Sequence, residues 1–363
     1  MVKSCVQISM ELLMKPFPGL LTPVYDEAFS SWLYRCSMHP RLRNQLRGLD
    51  FKQTNWKTVG SRLEVDDLDF DFQSEFSTSA MKRLGLNYTR VEKIFSPGRC
   101  PVVNWDCCRL YCPDCLRSDI AQGRLPSWRK SWNHEDAVQC QFHHCDLDLL
   151  FKAPSVSRAW DAFVENVNDQ KPTRPWGEAS FSRLRSICCH RVSRWLSDTR
   201  RESYHLHTTL FHRLYTVFVQ APFRGAAGGS ARLYFHGPTS RRVSEPLSLE
   251  ESLRIGSITA DPPIRFGGLL FAGTLMEIFP ESMLSAFERL CSPSRAHWSL
   301  KLNQVESLYL PSVDREEFIF LHHYLGQFER KKWSKLDKFL TRQELRYRRE
   351  GVYTGVPFSH PLC

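Results

Sequence analysis

Tyr111-Cys112-Pro113-Asp114-Cys115-Leu116, answered by Cys140-Gln141-Phe142-His143 with 24 residues between Cys115 and Cys140, is the stretch on which the reading of this chain turns. A Cys-x2-Cys pair and a Cys-x2-His pair each fit a tight turn that points two donors at one ion, and two such turns complete a tetrahedron. Three thiolates and one imidazole suit Zn2+. Four protein ligands leave no open position for an activated water, so the spacing predicts a structural site on Cys112, Cys115, Cys140 and His143. His144 is an alternative to His143, with Cys145 close by, but the His143 spacing mirrors the first pair. Cys100, Cys107 and Cys108 could serve a second ion, yet they lack a matching downstream pair and Cys188-Cys189-His190 is distant. Cys5, Cys36, Cys291 and Cys363 read as isolated thiols.

Outward from this module the patterning is mostly helical. Upstream, after the arm Lys15 to Pro23, a helix is expected from Asp26 to about Cys36, capped by Asp26, and a second, basic one over 41–48. Together they would suit a small helix-turn-helix. Residues 64–75, with Glu64, Asp66, Asp67, Asp69, Asp71 and Glu75, read as a solvated acidic loop or as a partner-facing or cation-attracting surface. Downstream, 154–180 reads as an irregular connection with Pro172 and Pro175, and Phe181 to about Leu196 as a basic helix. Gly225-Ala-Ala-Gly-Gly-Ser230 is either a linker between lobes or a long loop. Ser248 can cap Leu249–Ile255, Pro280 suits position N1 of a helix to Leu290, and Asp314 with Glu317 has capping-box spacing before Phe318, Leu321, Leu325 and Phe328. The expected fold is therefore mainly α. A helical, helix-turn-helix-like N-terminal region (1–99) precedes a small zinc-ribbon-like module (100–150), a basic helical connection (151–230) and a helical C-terminal domain (231–363).

The last of these ends in a basic segment. Arg330 to Arg349 holds nine Lys or Arg residues against Asp337 and Glu344. As a helix it would dock Trp333, Leu336, Leu340 and Tyr347 on the fold. Lys331, Lys332, Lys335, Lys338, Arg342, Arg346, Arg348 and Arg349 would remain for phosphates or an acidic partner. The formal net charge of the chain is +10, which favours a polyanionic partner. The odd count of 13 cysteines in 363 residues argues against a disulfide scaffold and for a reducing compartment. Neither a secretory signal nor an apolar span of about 20 residues is present, so a cytoplasmic location is expected.

Catalytic motifs are missing. The His134-Glu135 pair is adjacent and follows the cysteine pair, which is the wrong order for a deaminase. Neither a His-Glu-x-x-His nor a Gly-x-Ser-x-Gly motif occurs, and no Walker A sequence is present. A zinc-ribbed His-Asn-His nuclease recruiting His205 or His207 has no carboxylate fixed beside those residues.

Two stretches together resemble the TniQ/TnsD family of transposition proteins. One is Pro23 to Arg35, which keeps Glu27, Ser31, Trp32, Leu33 and Arg35 of the family's N-terminal signature but carries Ala28 and Phe29 where Ser and Leu are usual. The other is Tyr111 to Asp119, then Trp128-Arg-Lys-Ser-Trp132, then Cys140 to His143. The further cysteine pairs of many members are lacking. The resemblance covers about residues 20–147 and is nearest to mid-length TniQ adaptors of CRISPR-associated transposons. It implies a non-catalytic bacterial target selector, with Trp132 packed against the zinc knuckles. Its expected partners are a Cascade–guide RNA complex near the crRNA-processing subunit, the AAA+ regulator TnsC and target DNA, with a second copy forming a homodimer. A sequence-specific DNA-binding selector of the TnsD type is the competing expectation.

Overall fold

The computed structural model describes residues 19–47, 49, 56–59, 62–65, 67–98, 101–168, 179–199, 204–223, 228–235, 248–291, 302, 305, 308–311, 313–326 and 330–358. The protein is mainly helical, as expected, with fourteen α-helices and two small two-stranded sheets among the described residues. They group into two compact units, the first within Met1–His134 and Leu147–Pro172, the second within Glu135–Asp146 and Thr173–Cys363.

In the first unit, α1 (Phe29–Met38) buries Phe29, Trp32, Leu33 and Cys36, a helical stripe of period 3.6. It ends at His39, whose extended backbone is what a following proline demands. Asp26 does not cap it. The residue sits at φ +61°, its carboxylate accepts from Ser131 N at 3.1 Å, and the N-cap is Ala28, without a side-chain bond. The expected basic helix shrinks to the single turn α2 (Arg43–Leu46). A hairpin follows, β1 (Trp56–Val59) with β2 (Arg62–Val65). Then come α3 (Glu75–Leu84), capped by Ser74 and stopped at left-handed Gly85, and α4 (Tyr88–Phe95), capped by Asn87. Phe29, Trp32, Phe72, Met81, Val91 and Phe95 close a shared core over α1, α3 and α4.

In the acidic stretch Asp67 and Asp69 differ from both expectations, while Glu75 is exposed and Asp66 lies outside the described residues. Asp69 is buried, accepts from Ser30 N and Oγ and from Asn133 Nδ2, and pairs with the buried guanidinium of Arg158. Asp67 turns inward too, accepting from the backbone N–H of Asp69 and of Phe70. Arg158 also overturns the irregular connection: it opens α6 (Arg158–Asn168), just after Ser155 and Ser157 bond the Asp161 carboxylate. Pro172 and Pro175 lie outside the described residues.

In the second unit α7 (Ala179–Ser197) is the expected basic helix, somewhat longer than read. It packs with α8 (Tyr204–Val219), α9 (Ser230–Tyr234), α10 (Leu249–Thr259) and α11 (Pro262–Leu275) around one apolar core. Residues 264–275 of α11 are all buried, and a Cβ at Gly268 would stand 2.6 Å from Val219 Cγ1 and 2.9 Å from Tyr215. Glycine there sets how closely α8 and α11 approach. Residues 225–227 lie outside the described set, but Gly229 N donates to Gln220 O at 2.9 Å, and α8 and α9 on either side of the glycine stretch share the same core.

Of the expected caps downstream, Ser248 and the Asp314–Glu317 box fall in place. Ser248 accepts from Glu251 N, and Asp314 with Glu317 forms a complete capping box on α13 (Arg315–Leu325). Phe328 lies outside the described residues. Pro280 sits one residue before α12 (Glu281–Cys291), its carbonyl accepting from Met283 N and Leu284 N, so it precedes the first turn instead of occupying N1. The basic segment forms α14 (Ser334–Arg349) after a 3-10 turn at Arg330–Lys332.

Candidate metal centre

Each ligand pair is positioned by its own local structure. β3 (Leu110–Tyr111), paired with β4 (Asp148–Leu149), delivers the chain to Cys112, which is the N-cap of α5 (Pro113–Ala121). Pro113 fits the first helical turn, where no backbone N–H is needed. Cys112 Sγ accepts from Cys115 N at 3.4 Å, so the two thiols share the positive end of the helix, an environment that favours thiolates.

The second pair sits on a turn. Cys140 N donates to Cys145 O and His144 N to Cys140 O, both at 2.9 Å, while Phe142 N reaches Cys140 Sγ at 3.4 Å. His144, the alternative ligand, carries the positive φ of +52° that closes this turn. His143 instead places Nδ1 3.6 Å from Cys140 Sγ. The donor atoms of Cys112, Cys115, Cys140 and His143 all lie within 4.8 Å of one another, with the three cysteines buried and the histidine exposed. This cluster can hold a metal ion. It is the one such group among the described residues, so Cys107, Cys108, Cys188 and Cys189 form no second one. Cys108 donates to Val103 O at 2.9 Å, and Cys36 is a buried core thiol. Cys5, Cys100 and Cys363 fall outside the described residues.

The Cys140–His143 turn is braced from both ends within the second unit. Asp146 accepts from Gln139 Nε2 at 2.9 Å and pairs with the buried Arg185 of α7. Tyr215 Oη donates to Glu135 O at 2.6 Å, and Val138 enters the helical core.

The remaining signature residues form a separate buried frame in the first unit. Glu27 takes a bidentate pair from Arg35, at 2.8 and 2.9 Å, and accepts from Val24 N and from Ser31 Oγ. Arg35 also donates to Thr22 O, and Trp32 Nε1 to Leu21 O, which ties residues 21 and 22 to α1. Leu33 fills the core of α1. The two resembling stretches meet here: Trp128 N donates to Ser31 Oγ and Ala28 N to Trp128 O, both at 2.9 Å, and Glu27 bridges Arg129 in antiparallel register. Trp132 stands edge-on to Trp128 at 5.4 Å, and Trp128 lies 6.2 Å from Tyr111, the neighbour of Cys112.

No family model, no curated protein and no solved structure matches this chain.

Sequence reading passed over Asp119, which is buried and holds Arg129 (2.9 and 3.0 Å) and Ser127 N and Oγ. Its type and its place in the quoted motif were the only signals. On α14 the expected stripe of Trp333, Leu336, Leu340 and Tyr347 is buried, joined by Phe339. Of the basic residues, Lys331, Lys332, Lys338, Arg342, Arg348 and Arg349 are exposed. Lys335 is half-buried and reaches Glu281, and Arg346 is drawn into the fold, donating to Leu310 O and Pro311 O. Of the two histidines weighed for a nuclease, His207 is buried edge-on against Trp333 at 4.9 Å, whereas His205 is exposed. No described helix is long and apolar enough to cross a membrane.

Proposed function

We propose that this chain is a non-catalytic targeting adaptor of the TniQ type, built around one structural Zn2+ on Cys112, Cys115, Cys140 and His143. The observation that carries the reading is the meeting of the two resembling stretches at Ser31 and Trp128, about a hundred residues apart in sequence, as parts of one buried frame. Zinc is favoured by the donors. Tetrahedral Zn–S and Zn–N bonds of about 2.3 and 2.0–2.1 Å place sulfur and nitrogen roughly 3.5 Å apart, against 3.6 Å for Cys140 and His143. The closed four-ligand set offers no position for a reacting water, which agrees with a scaffold and not a hydrolase.

On this reading the adaptor joins a Cascade–guide RNA complex at target DNA to the AAA+ regulator TnsC, in a bacterial cytoplasm and as a homodimer. The exposed cations of α14 favour a second reading, a TnsD-type selector that binds target DNA directly. Pull-down of the tagged chain from cells co-expressing a CRISPR Cascade, its guide RNA and TnsC separates the two. Guide-dependent recovery of Cascade subunits is the expected result. Recovery of TnsC without any Cascade would move the function to direct DNA recognition.

A further inference from the structure

Tyr309 is 69% exposed, yet its place is fixed. Gln343 of α14 clamps the backbone on both sides of it, donating to Leu308 O at 2.8 Å and accepting from Leu310 N at 3.2 Å. Arg346 and Tyr347 hold the next carbonyls, with Tyr347 Oη donating to Pro311 O at 2.7 Å. The Arg346 guanidinium then lies 5.6 Å from the Tyr309 ring centroid and 4.5 Å from that of Tyr347. A large aromatic side chain is thus held out in water on a rigid footing, backed by a cation. Exposed Arg342 stands one turn before Arg346 on the helix and exposed Arg349 three residues after it, with Lys338 a further turn back. Residues four apart are about 6 Å apart along the axis.

We propose that Tyr309, backed by Arg346 and flanked along α14 by Arg342 and Arg349, is a stacking platform for an unpaired nucleobase, so that this face takes single-stranded nucleic acid. Cations alone serve a duplex or an acidic peptide equally well, but neither uses an open tyrosine face. Bases of a duplex are already stacked on each other; only a single strand offers a free π-face with its phosphates within reach of neighbouring cations. RNA and DNA share this chemistry. The inference deepens the reading of α14 as a polyanion-facing surface, but it does not depend on Cascade.

The test is fluorescence anisotropy of the full zinc-loaded chain with labelled 15-mers: single-stranded RNA, single-stranded DNA of the same sequence, and the duplex. Single strands should bind more tightly than duplex. Tyr309→Ala should weaken single-strand binding about fivefold to a hundredfold, Tyr309→Phe should retain it, and circular dichroism should show all variants folded. Arg342→Gln with Arg349→Gln should lower the salt slope by about 1.4. The RNA and DNA arms show which strand is preferred. The proposal is overturned if Tyr309→Ala binds like the wild type, if Tyr309→Phe loses as much as alanine does, or if duplex binding falls equally. Competition by polyglutamate as strong as by nucleic acid would assign the face to an acidic peptide instead. Because only the isolated chain and oligonucleotides are used, failure here leaves the pull-down result untouched, and failure of the pull-down leaves this one standing.

Discussion

At the scale of single residues, the Cys/His cluster was legible and the buried ion pairs were not. Cys112 and Cys115, like Cys140 and His143, reveal themselves through spacing, because a turn brings near neighbours to one point. Asp69 and Arg158 are brought together only by the fold, and no local pattern marks them. Breaking such a pair strands a buried charge, at a cost of about 3–5 kcal/mol. Asp67 is subtler. Burial, with the Asp69 carboxylate beside it, pushes its carboxyl up from 3.8 to about 7. Between those values the folded chain binds a proton that the unfolded chain has released, so this group's stabilising share falls as pH rises from about 4 through 7. Asparagine keeps an oxygen for the N–H groups of Asp69 and Phe70 and has no charge to bury. Asp67→Asn should therefore gain in melting temperature over the wild type at pH 8, with the difference fading towards pH 4. A difference that stays constant across that range would show that Asp67 does not titrate this way.

At the scale of elements, helices with a cap or a clear stripe were readable, as at Ser248, Asp314 with Glu317, and α14. Among the helices the sequence did not mark, two were missed for different reasons. α11 is buried almost all round, so its sequence has no polar face to give it a period. α6 begins after a polar stretch whose serines turn out to donate to the Asp161 carboxylate in its first turn. The acidic stretch misled because charge composition says nothing of burial once an arginine from another element supplies the partner. Gly268 offers a test of sign. Helix propensity alone would make Gly268→Ala stabilising by about 1 kcal/mol. Packing says the reverse, since the new Cβ would meet Val219 at 2.6 Å, and overpacking costs about 1–3 kcal/mol. In urea unfolding, Gly268→Ala should lower the midpoint. Asp314→Ala, which removes an exposed cap, should also lower it, through a loss of about 1 kcal/mol of stability. A raised midpoint for Gly268→Ala would mean that α8 and α11 have room between them.

At the scale of the whole molecule, composition and spacing made the class legible: a mainly helical chain of net charge +10 carrying one clustered Cys/His site. They did not reveal the hairpin, or the frame around Ser31 and Trp128 that joins the two resembling stretches. Nor did they mark Tyr309, because an exposed tyrosine has no pattern until α14 is seen to clamp it. The proposed function is built around the claim that Cys112, Cys115, Cys140 and His143 hold one structural zinc. The most direct check is the metal content of the purified chain by mass spectrometry, for the wild type and for Cys112→Ser and Cys140→Ser. One zinc per wild-type chain, lost together with a drop in melting temperature in either variant, is the predicted result. Stoichiometric zinc and an unchanged melting temperature in either variant would contradict it.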